Sequence, residues 1–393
     1  MIDNRGRGAE SGGPGFAGLH RALRRKNYRF APLYIGRFAA VKWRRNFLAR
    51  EGFFIDFAKY LIKVILCKGE RRMRKTIAVM TSGGDSPGMN AATRAVVRTA
   101  VQSGARIFGI YNGYRGLLEN DMVEMNRRSV SDIIQRGGTI LGTARSQEFT
   151  TPEGRAKAAE NLKEHGVEGV IIIGGDGSLR GAQHLADEQG IAVVGLPGTI
   201  DNDIWGMDYT IGSDTAANTI IDAINKLRDT ASAHRRIAVL EVMGRHSGWL
   251  ALITGMSGGA EYILVPEELY DLHQIASEIR AMYDENQKRY VLIVVAEGAG
   301  SAIDIGIKLE EMTGIDTRAS VLGHIQRGGS PTVMDRVYAS VLGEKATLAL
   351  LSGVSNVVYG VKHGRIVNVN LYDAVTKKKQ LDPEYIRMAK VLA

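Results

Sequence analysis

The sequence predicts an α/β fold made of two doubly wound domains, and three observations support that prediction. First, uninterrupted apolar runs end at glycine or proline, as in residues 167–173 and 191–196, which is typical of parallel strands covered on both faces. Second, such runs alternate with stretches of helical periodicity, the βαβ pattern of a parallel sheet. Third, 393 residues with 45% hydrophobic content and 47 glycines suffice for two cores and many tight turns.

The net positive charge of the chain comes from its first 72 residues. These hold 17 Lys or Arg against 5 Asp or Glu, a net +12 in a chain whose total is +9, so residues 73–393 carry −3. The mildly acidic body gives no argument for nucleic-acid binding, and we expect no nucleic-acid partner. The single cysteine, Cys67, excludes an intrachain disulfide and is compatible with a reducing compartment.

The segment 1–72 is interpreted as a basic N-terminal extension that is disordered or artefactual. Its apolar stretch, residues 53–66, has 14 residues, whereas a membrane-spanning helix needs about 20, so we expect no membrane partner. An interfacial amphipathic helix, an organelle-targeting peptide and a nucleic-acid-binding segment stay open as alternatives for it. The strand predicted at 75–80 begins the folded body.

The elements of the body follow one another in βαβ order. The first strand runs into the loop 81–90, and apolar residues at Ala92, Val96, Val97 and Ala100 predict the helix that follows. The further predicted elements are strands at 107–111, 236–242, 263–266 and 290–296 and helices at about 155–165 and 216–230. The second series of strands predicts a second α/β domain.

Two acidic glycine-rich runs, 174–178 and 197–203, come directly after two of the predicted strands. Ligands bind beyond the carboxyl ends of the strands in open parallel sheets, and glycine lets the backbone approach a phosphate closely. The carboxylates Asp176, Asp201 and Asp203 are candidates for holding Mg²⁺ or for accepting a proton. Together these runs predict a site for a metal-bound nucleotide.

Five motifs in one order resemble the bacterial ATP-dependent 6-phosphofructokinase family. They are the runs 81–90, 174–178, 197–203, 243–245 and 322–329. The resemblance covers 73–393 and implies two α/β domains with the active site in the cleft between them. It assigns 73–211 with about 325–375 to a nucleotide-binding domain, and 212–324 with about 376–393 to a sugar-phosphate-binding domain.

The resemblance implies a cytoplasmic, allosteric homotetramer that phosphorylates fructose 6-phosphate with ATP and Mg²⁺, the committed step of glycolysis. Asp201 is similar to the family's general base and Thr199 to the residue that positions the sugar hydroxyl, while Arg145 and Arg245 resemble its catalytic arginines. Nucleotide binding is assigned to Gly84, Arg145, Ser146, Gly175, Asp176, Gly177 and Ser178, and magnesium to Asp176 and Asp203. Sugar-phosphate binding is assigned to Thr199, Asp201, Arg236, Met243, Gly244, Arg245, Glu297, Arg318, His324 and Arg327.

Two of these assignments depend on a neighbouring subunit. Arg236 and Arg318 are expected to reach the sugar phosphate from an adjacent protomer, so that the site is completed by oligomerisation. ADP and phosphoenolpyruvate are the implied effectors, and their site is assigned to Arg94, Arg98, Arg127, Arg228, Glu261 and Lys288. The sequence departs from the family pattern at Asn286, where a second lysine is common, and at Ser146, where an aromatic residue often stands.

The phosphoryl donor is interpreted as ATP because glycine occupies both Gly177 and Gly198. Relatives that use pyrophosphate carry a bulkier acid at the first position and a lysine at the second. A pyrophosphate-dependent enzyme, a lipid or nucleotide kinase and a catalytically silent regulatory subunit are the alternatives. The pocket of Arg318, His324 and Arg327 disfavours the lipid and nucleotide kinases, and the presence of Asp176, Asp201 and Arg245 disfavours the silent subunit.

Overall fold

A computed structural model of the chain describes residues 75–285 and 288–392. The predicted extension 1–72 and Asn286 lie outside these described residues. The strands are β1 (Thr76–Ser82), β2 (Arg106–Ile110), β3 (Met122–Glu124), β4 (Gly169–Gly174), β5 (Ala192–Pro197), β6 (Ile237–Val242), β7 (Tyr262–Leu264), β8 (Val291–Ala296), β9 (Thr317–Val321), β10 (Val357–Lys362) and β11 (Arg365–Asn370).

The helices that connect these strands include the three predicted ones, which begin two or three residues before the expected positions. They are α1 (Met89–Gln102), α2 (Gly113–Leu118), α3 (Pro152–Glu164), α4 (Asp176–Gln189), α5 (Ser213–His234), α6 (Trp249–Gly258), α7 (Leu272–Asp284), α8 (Ala302–Thr313), α9 (Val333–Ser352), α10 (Leu371–Thr376) and α11 (Pro383–Leu392). Two short 3₁₀ helices span Glu148–Thr150 and Gly323–Arg327. None of the described helices is long and apolar enough to cross a bilayer.

The strands form two sheets, which confirms the predicted fold class. The first domain has the order β11–β10–β5–β4–β1–β2–β3, and the second has β7–β8–β6–β9. All pairs of the second sheet are parallel, and in the first sheet the two edge strands β3 and β11 are antiparallel to their neighbours. The antiparallel edges were not anticipated from the sequence.

Each sheet is buried on both faces, which explains its continuous apolar strands. In β1, Ala78 and Met80 pack into one core cluster and Ile77 and Val79 into another. In β8, alternate residues divide in the same way between two further clusters. Fully burying each large apolar side chain stabilises the fold by about 1.5–3 kcal/mol, so these strands hold the loops at their ends firmly in place. The domain boundaries given above stay a prediction.

Candidate active site

An open cleft of about 790 Å³ lies at the carboxyl ends of strands from both sheets. In the first domain its walls are the loops that follow β1, β4 and β5, which are neighbours in the sheet. In the second domain they are the residues after β6, β8 and β9, again three adjacent strands. Residues 144–147, which precede the 3₁₀ helix Glu148–Thr150, also line the cleft. The topology therefore brings together segments that are widely separated in the sequence.

The loop after β5 carries Asp201 into the cleft as a buried carboxylate. Its side chain is 4% exposed, and Oδ1 has no hydrogen-bond partner among the described residues. Oδ2 lies 3.7 Å from Arg245 Nε, and the backbone N–H of Asp201 donates to Thr199 Oγ1 at 3.2 Å. Burial raises the pKa of this carboxyl, while Arg327 and Arg245 act in the opposite direction. The group is thus suited to accept a proton from a substrate hydroxyl.

Asp203 lies beside Asp201 and faces the same cleft. Burial, followed by the neighbouring charge of Asp201, raises the pKa of Asp203 to about 6. Its Oδ1 atom also lacks a partner within the described part of the chain. Asp176, the first residue of α4, contributes further to the raised pKa, so three carboxylates repel one another at this end of the cleft.

These carboxylates suit a magnesium ion whose coordination is completed by ligands from outside the protein. Two of them present buried oxygen atoms without hydrogen-bond donors among residues 75–285 and 288–392, and a divalent cation would relieve their mutual repulsion. Within the same residues, no three His, Cys, Asp or Glu side chains lie close enough to hold a metal by themselves. Mg²⁺ usually takes one or two carboxylates together with substrate phosphates and water, which agrees with this arrangement.

The predicted nucleotide-binding residues line the first-domain wall of the cleft: Gly84, Arg145, Ser146, Gly175, Asp176, Gly177 and Ser178. Gly175 precedes α4, so the positive end of that helix points toward the cleft. A Cβ atom at Gly177 would meet no atom of the described residues within 4 Å. The space beside this glycine is therefore available to a ligand.

Gly198 differs from Gly177 in its surroundings. A Cβ atom at Gly198 would approach the side chains of Ile173 and Met89 to 3.0 Å, which is closer than ordinary packing contact. A side chain here would have to displace these neighbours, so glycine suits the packing at this position as well as any role toward a phosphoryl donor. The donor interpretation therefore depends more on Gly177 than on Gly198.

Arg327, the last residue of the 3₁₀ helix that follows β9, reaches the loop after β1. Its side chain is buried, and Nη1 donates to the Asp85 carbonyl oxygen at 3.2 Å. A Cβ atom at Gly84 would overlap the guanidinium group, so glycine is needed there for this contact. Arg145 and Arg245 are exposed side chains on opposite walls of the cleft. Together the three guanidinium groups give the cleft a positive lining that suits phosphates.

The loop after β6 is shaped by Glu297, the first residue after β8. Glu297 Oε1 accepts the backbone N–H groups of Gly244 at 3.1 Å and Arg245 at 2.7 Å. The two donors have φ values of 141° and 53°, so the carboxylate stabilises a left-handed turn. The Met243 N–H donates to the side-chain oxygen of Gln326 at 3.1 Å. Met243, Arg245 and Glu297 line the cleft together.

The predicted sugar-phosphate arginines do not all lie in the cleft. His324 and Arg327 line it, whereas Arg236 and Arg318 do not. Both of the latter pair with Asp316: Arg318 Nη2 lies 2.8 Å from its carboxylate, and Arg236 donates to the same group. Their expected contribution to an adjacent protomer stays a prediction.

The predicted effector residues fall into two groups. Arg94 and Arg98 lie on one face of α1, where burial and then the charge of Arg98 lower the pKa of Arg94. Lys288 Nζ lies 2.8 Å from Glu261 Oε1. Arg127, in the loop after β3, donates to Gln102 at the end of α1, and Arg228 lies next to Gly259. Within the described part of the chain, no hydrogen bond or ion pair joins the two groups.

Several residues of the site were not predicted from the sequence. Arg180 Nη2 lies 3.0 Å from Asp176 Oδ2, a contact between residues four apart on a helix that spacing could have indicated. Tyr114 lines the cleft and donates from its hydroxyl group to the Ser178 carbonyl oxygen at 2.6 Å. Gln326 is buried and holds the Met243 backbone; it lies within the motif 322–329, whereas Tyr114 lies outside the five motifs.

Comparison with known proteins gives a consistent result. The phosphofructokinase family (PFK) matches residues 76–350. The chain is 52% identical over 319 residues to an ATP-dependent 6-phosphofructokinase of Clostridium botulinum, covering 81% of this chain and 99% of the relative. It is 53% identical over 319 residues, with the same coverage, to the protein of that name from Clostridioides difficile.

Solved structures have the same fold. Phosphofructokinase from Saccharomyces cerevisiae is 39% identical with a TM-score of 0.72, and the match covers 77% of this chain and 45% of the yeast chain. A pyrophosphate-dependent phosphofructokinase from Marinobacter aquaeolei is 21% identical with a TM-score of 0.70, covering 81% of this chain and 91% of that chain. At that identity the second likeness supports the fold alone.

Proposed function

The chain belongs to the phosphofructokinase family, and we propose that it transfers the γ-phosphoryl group of ATP to the 1-hydroxyl of fructose 6-phosphate. The observation that carries this proposal is the convergence of Asp201, the glycine loop 174–178 and three arginines in one cleft. The relatives with 52% identity over nearly their whole length bear the name of this activity, which supports the same conclusion.

Asp201 is proposed as the general base of the reaction. Its buried carboxylate is held beside Arg245, and the Oδ1 atom, which has no hydrogen-bond partner among the described residues, would accept the hydrogen of a sugar hydroxyl. Thr199 accepts the Asp201 backbone N–H and so fixes the start of the loop. A positioned base contributes about 10²–10⁴ to the rate of such a transfer.

Arg145, Arg245 and Arg327 are proposed to stabilise the charge of the transferring phosphoryl group. A guanidinium group offers paired donors that match phosphate oxygens, and its charge acts strongly in a site shielded from water. Asp176 and Asp203 would hold Mg²⁺, which would neutralise charge on the β- and γ-phosphates of the nucleotide. The exposed end of α4 would donate backbone N–H groups to the nucleotide.

ATP is proposed as the donor because the space beside Gly177 is open. A bulky acid at this position would occupy the space and add a negative charge beside the nucleotide phosphates. The named activity of the relatives from Clostridium botulinum supports the same donor.

Fructose 6-phosphate is proposed to bind against the second domain. The backbone of Met243 and Gly244 and the carboxylate of Glu297 would contact its hydroxyl groups, while His324 and Arg327 would bind its 6-phosphate. Arg236 and Arg318, supplied by an adjacent protomer of a homotetramer, would complete that phosphate pocket. A cytoplasmic location is part of the same proposal.

Allosteric control by ADP and phosphoenolpyruvate is a further part of the proposal. The Nε atoms of Arg98 and Arg228 are buried and have no hydrogen-bond partner among the described residues, which favours an anionic ligand near each. Lys288 and the Mg²⁺-facing carboxylate of Glu261 would complete the effector site together with Arg94 and Arg127. The saturation curve for fructose 6-phosphate should shift to lower concentrations when ADP is added.

The first experiment offers the purified full chain fructose 6-phosphate and Mg²⁺ with either ATP or pyrophosphate. Formation of fructose 1,6-bisphosphate with ATP alone is expected. Turnover with pyrophosphate alone would overturn the donor assignment but keep the acceptor. Folded protein that turns over neither donor would contradict the proposed function and favour a nucleotide-binding subunit without activity.

A further inference from the structure

The C-terminal crossover segment, residues 377–382, connects the two domains beside the cleft. Before it, α10 buries Leu371 and Val375 in the core of the first domain. At its end Leu381, and after it Ala389, join a core cluster of the second domain. The segment therefore passes from one domain to the other, and its side chains lie close to the acidic loop, residues 198–208.

Lys379 of the crossover segment contacts the backbone of the acidic loop. Its Nζ atom donates to the Asp208 carbonyl oxygen at 3.2 Å. The same carbonyl oxygen accepts the side-chain amide of Asn202 at 2.8 Å. One backbone oxygen thus links the crossover segment to the residue that stands between Asp201 and Asp203.

Asn202 sets the direction in which the two carboxylates point. It is fully buried, and its φ of 50° is left-handed, a conformation that asparagine tolerates but that persists where the surroundings hold it. Its neighbours Asp201 and Asp203 both line the cleft. A loosened Asp208 carbonyl would therefore allow both carboxylates to move.

The charge of Lys379 suits its place behind the acidic loop. Burial lowers the pKa of Lys379 to about 8, while the carboxylates of Asp208 and Asp203 act to raise it, so the ammonium group is mainly charged at neutral pH. The segment makes a second contact with the same loop, because Lys377 Nζ lies 4.3 Å from the centre of the Trp205 ring.

We propose that Lys379 is a positioning residue for the reaction, which holds the Asp208 carbonyl and thereby fixes the turn that directs Asp201 and Asp203 into the cleft. This inference rests on the proposed phosphoryl transfer. Lys379 acts through the loop and does not contact the reacting atoms. Because the crossover segment is anchored in both domains, the orientation of the two carboxylates depends on how the domains are joined.

The test compares Lys379→Met and Lys379→Arg with the control Lys378→Met, whose side chain is exposed next to the same position. Misplaced catalytic groups can cost up to about 100-fold in rate. We expect Lys379→Met to lower kcat about tenfold while the KM for fructose 6-phosphate stays within about twofold. Lys379→Arg, which keeps the cation and its donors, should restore kcat to within about threefold of wild type, and Lys378→Met should match wild type. A wild-type kcat in Lys379→Met, or an equal loss in Lys378→Met, would overturn the proposal.

Hydrogen–deuterium exchange gives a readout that does not depend on activity. In the full-length Lys379→Met protein, amides of residues 199–211 should exchange about tenfold faster than in Lys378→Met, while peptides of the two cores keep their protection. Unchanged exchange in this loop would overturn the proposal even if kcat falls. A wild-type protein that does not phosphorylate fructose 6-phosphate would contradict the proposed function, and the exchange result would still decide whether Lys379 holds the loop.

Discussion

Replacing Asp201 with asparagine separates the chemical role of this carboxylate from the cost of burying it. Asparagine keeps the shape of a side chain that is 4% exposed but cannot accept the proton of a sugar hydroxyl. We therefore expect kcat to fall by about 10²–10⁴, with KM values for both substrates changed much less. Bisphosphate formation by the purified variant measures this loss, and the exposed variant Asp222→Asn serves as its control.

The same substitution should leave the fold at least as stable at neutral pH. Burial raises the pKa of Asp201, so its stabilising contribution is complete below the pKa of the unfolded chain and is lost as pH rises through the folded pKa. At pH 7 the wild type carries the cost of a buried charge, offset in part by Arg327 and Arg245, and asparagine removes that cost.

Thermal unfolding at pH 7 and at acidic pH measures the effect on stability. The variant should melt at a higher temperature than wild type at pH 7, and this difference should become smaller toward acidic pH. A kcat within tenfold of wild type would refute the assignment of Asp201 as the base. A melting temperature clearly below that of wild type at pH 7 would refute the reasoning from burial.

Three further predictions concern other parts of the molecule. Gly177→Glu should weaken ATP binding at least about tenfold without lowering the melting temperature, because its Cβ faces open space; calorimetric titration measures the affinity and thermal unfolding the melting temperature. Asp335→Ala should destabilise the fold by about 2–4 kcal/mol in urea unfolding, since Asp335 accepts hydrogen bonds from Gly212 N at 2.7 Å, Thr215 N at 2.9 Å and the Thr215 hydroxyl at 2.5 Å. Burial lowers the pKa of Lys379 in the folded protein to about 8. Between that pH and about 10.5, the unfolded chain binds more protons at this lysine than the folded protein does, so folding stability should rise with pH. Lys379→Met should show a smaller rise than wild type when urea unfolding is repeated across this range.

The local part of the site could be predicted from the sequence because its signals are short. An apolar strand that ends in glycine and aspartate identifies a loop at the edge of a sheet, and both Asp176 and Asp201 were found in this way. Glu297, which directly follows β8, was assigned through the family resemblance. Strand boundaries were right to within one or two residues, because burial on both faces requires a continuous apolar run.

The contacts between distant segments could not be predicted. Arg327 reaches the Asp85 carbonyl across 242 positions of sequence, and Lys379 reaches Asp208 across 171. Such contacts depend on the order of strands in the sheets and on where the chain crosses between domains, neither of which is encoded in a local pattern. The pairing of Arg236 and Arg318 with Asp316 is of the same kind.

By itself the sequence determined the fold class and the identity of the residues at the strand ends. These follow from local hydrophobic periodicity and from the few residue types that tight turns and phosphates accept. The tertiary structure alone decided that loops from two sheets face one cleft, that Asn202 is held by a carbonyl shared with Lys379, and that the space around Gly198 is tightly packed. Those outcomes arise from long-range packing, in which each side chain is placed by elements far away in the chain.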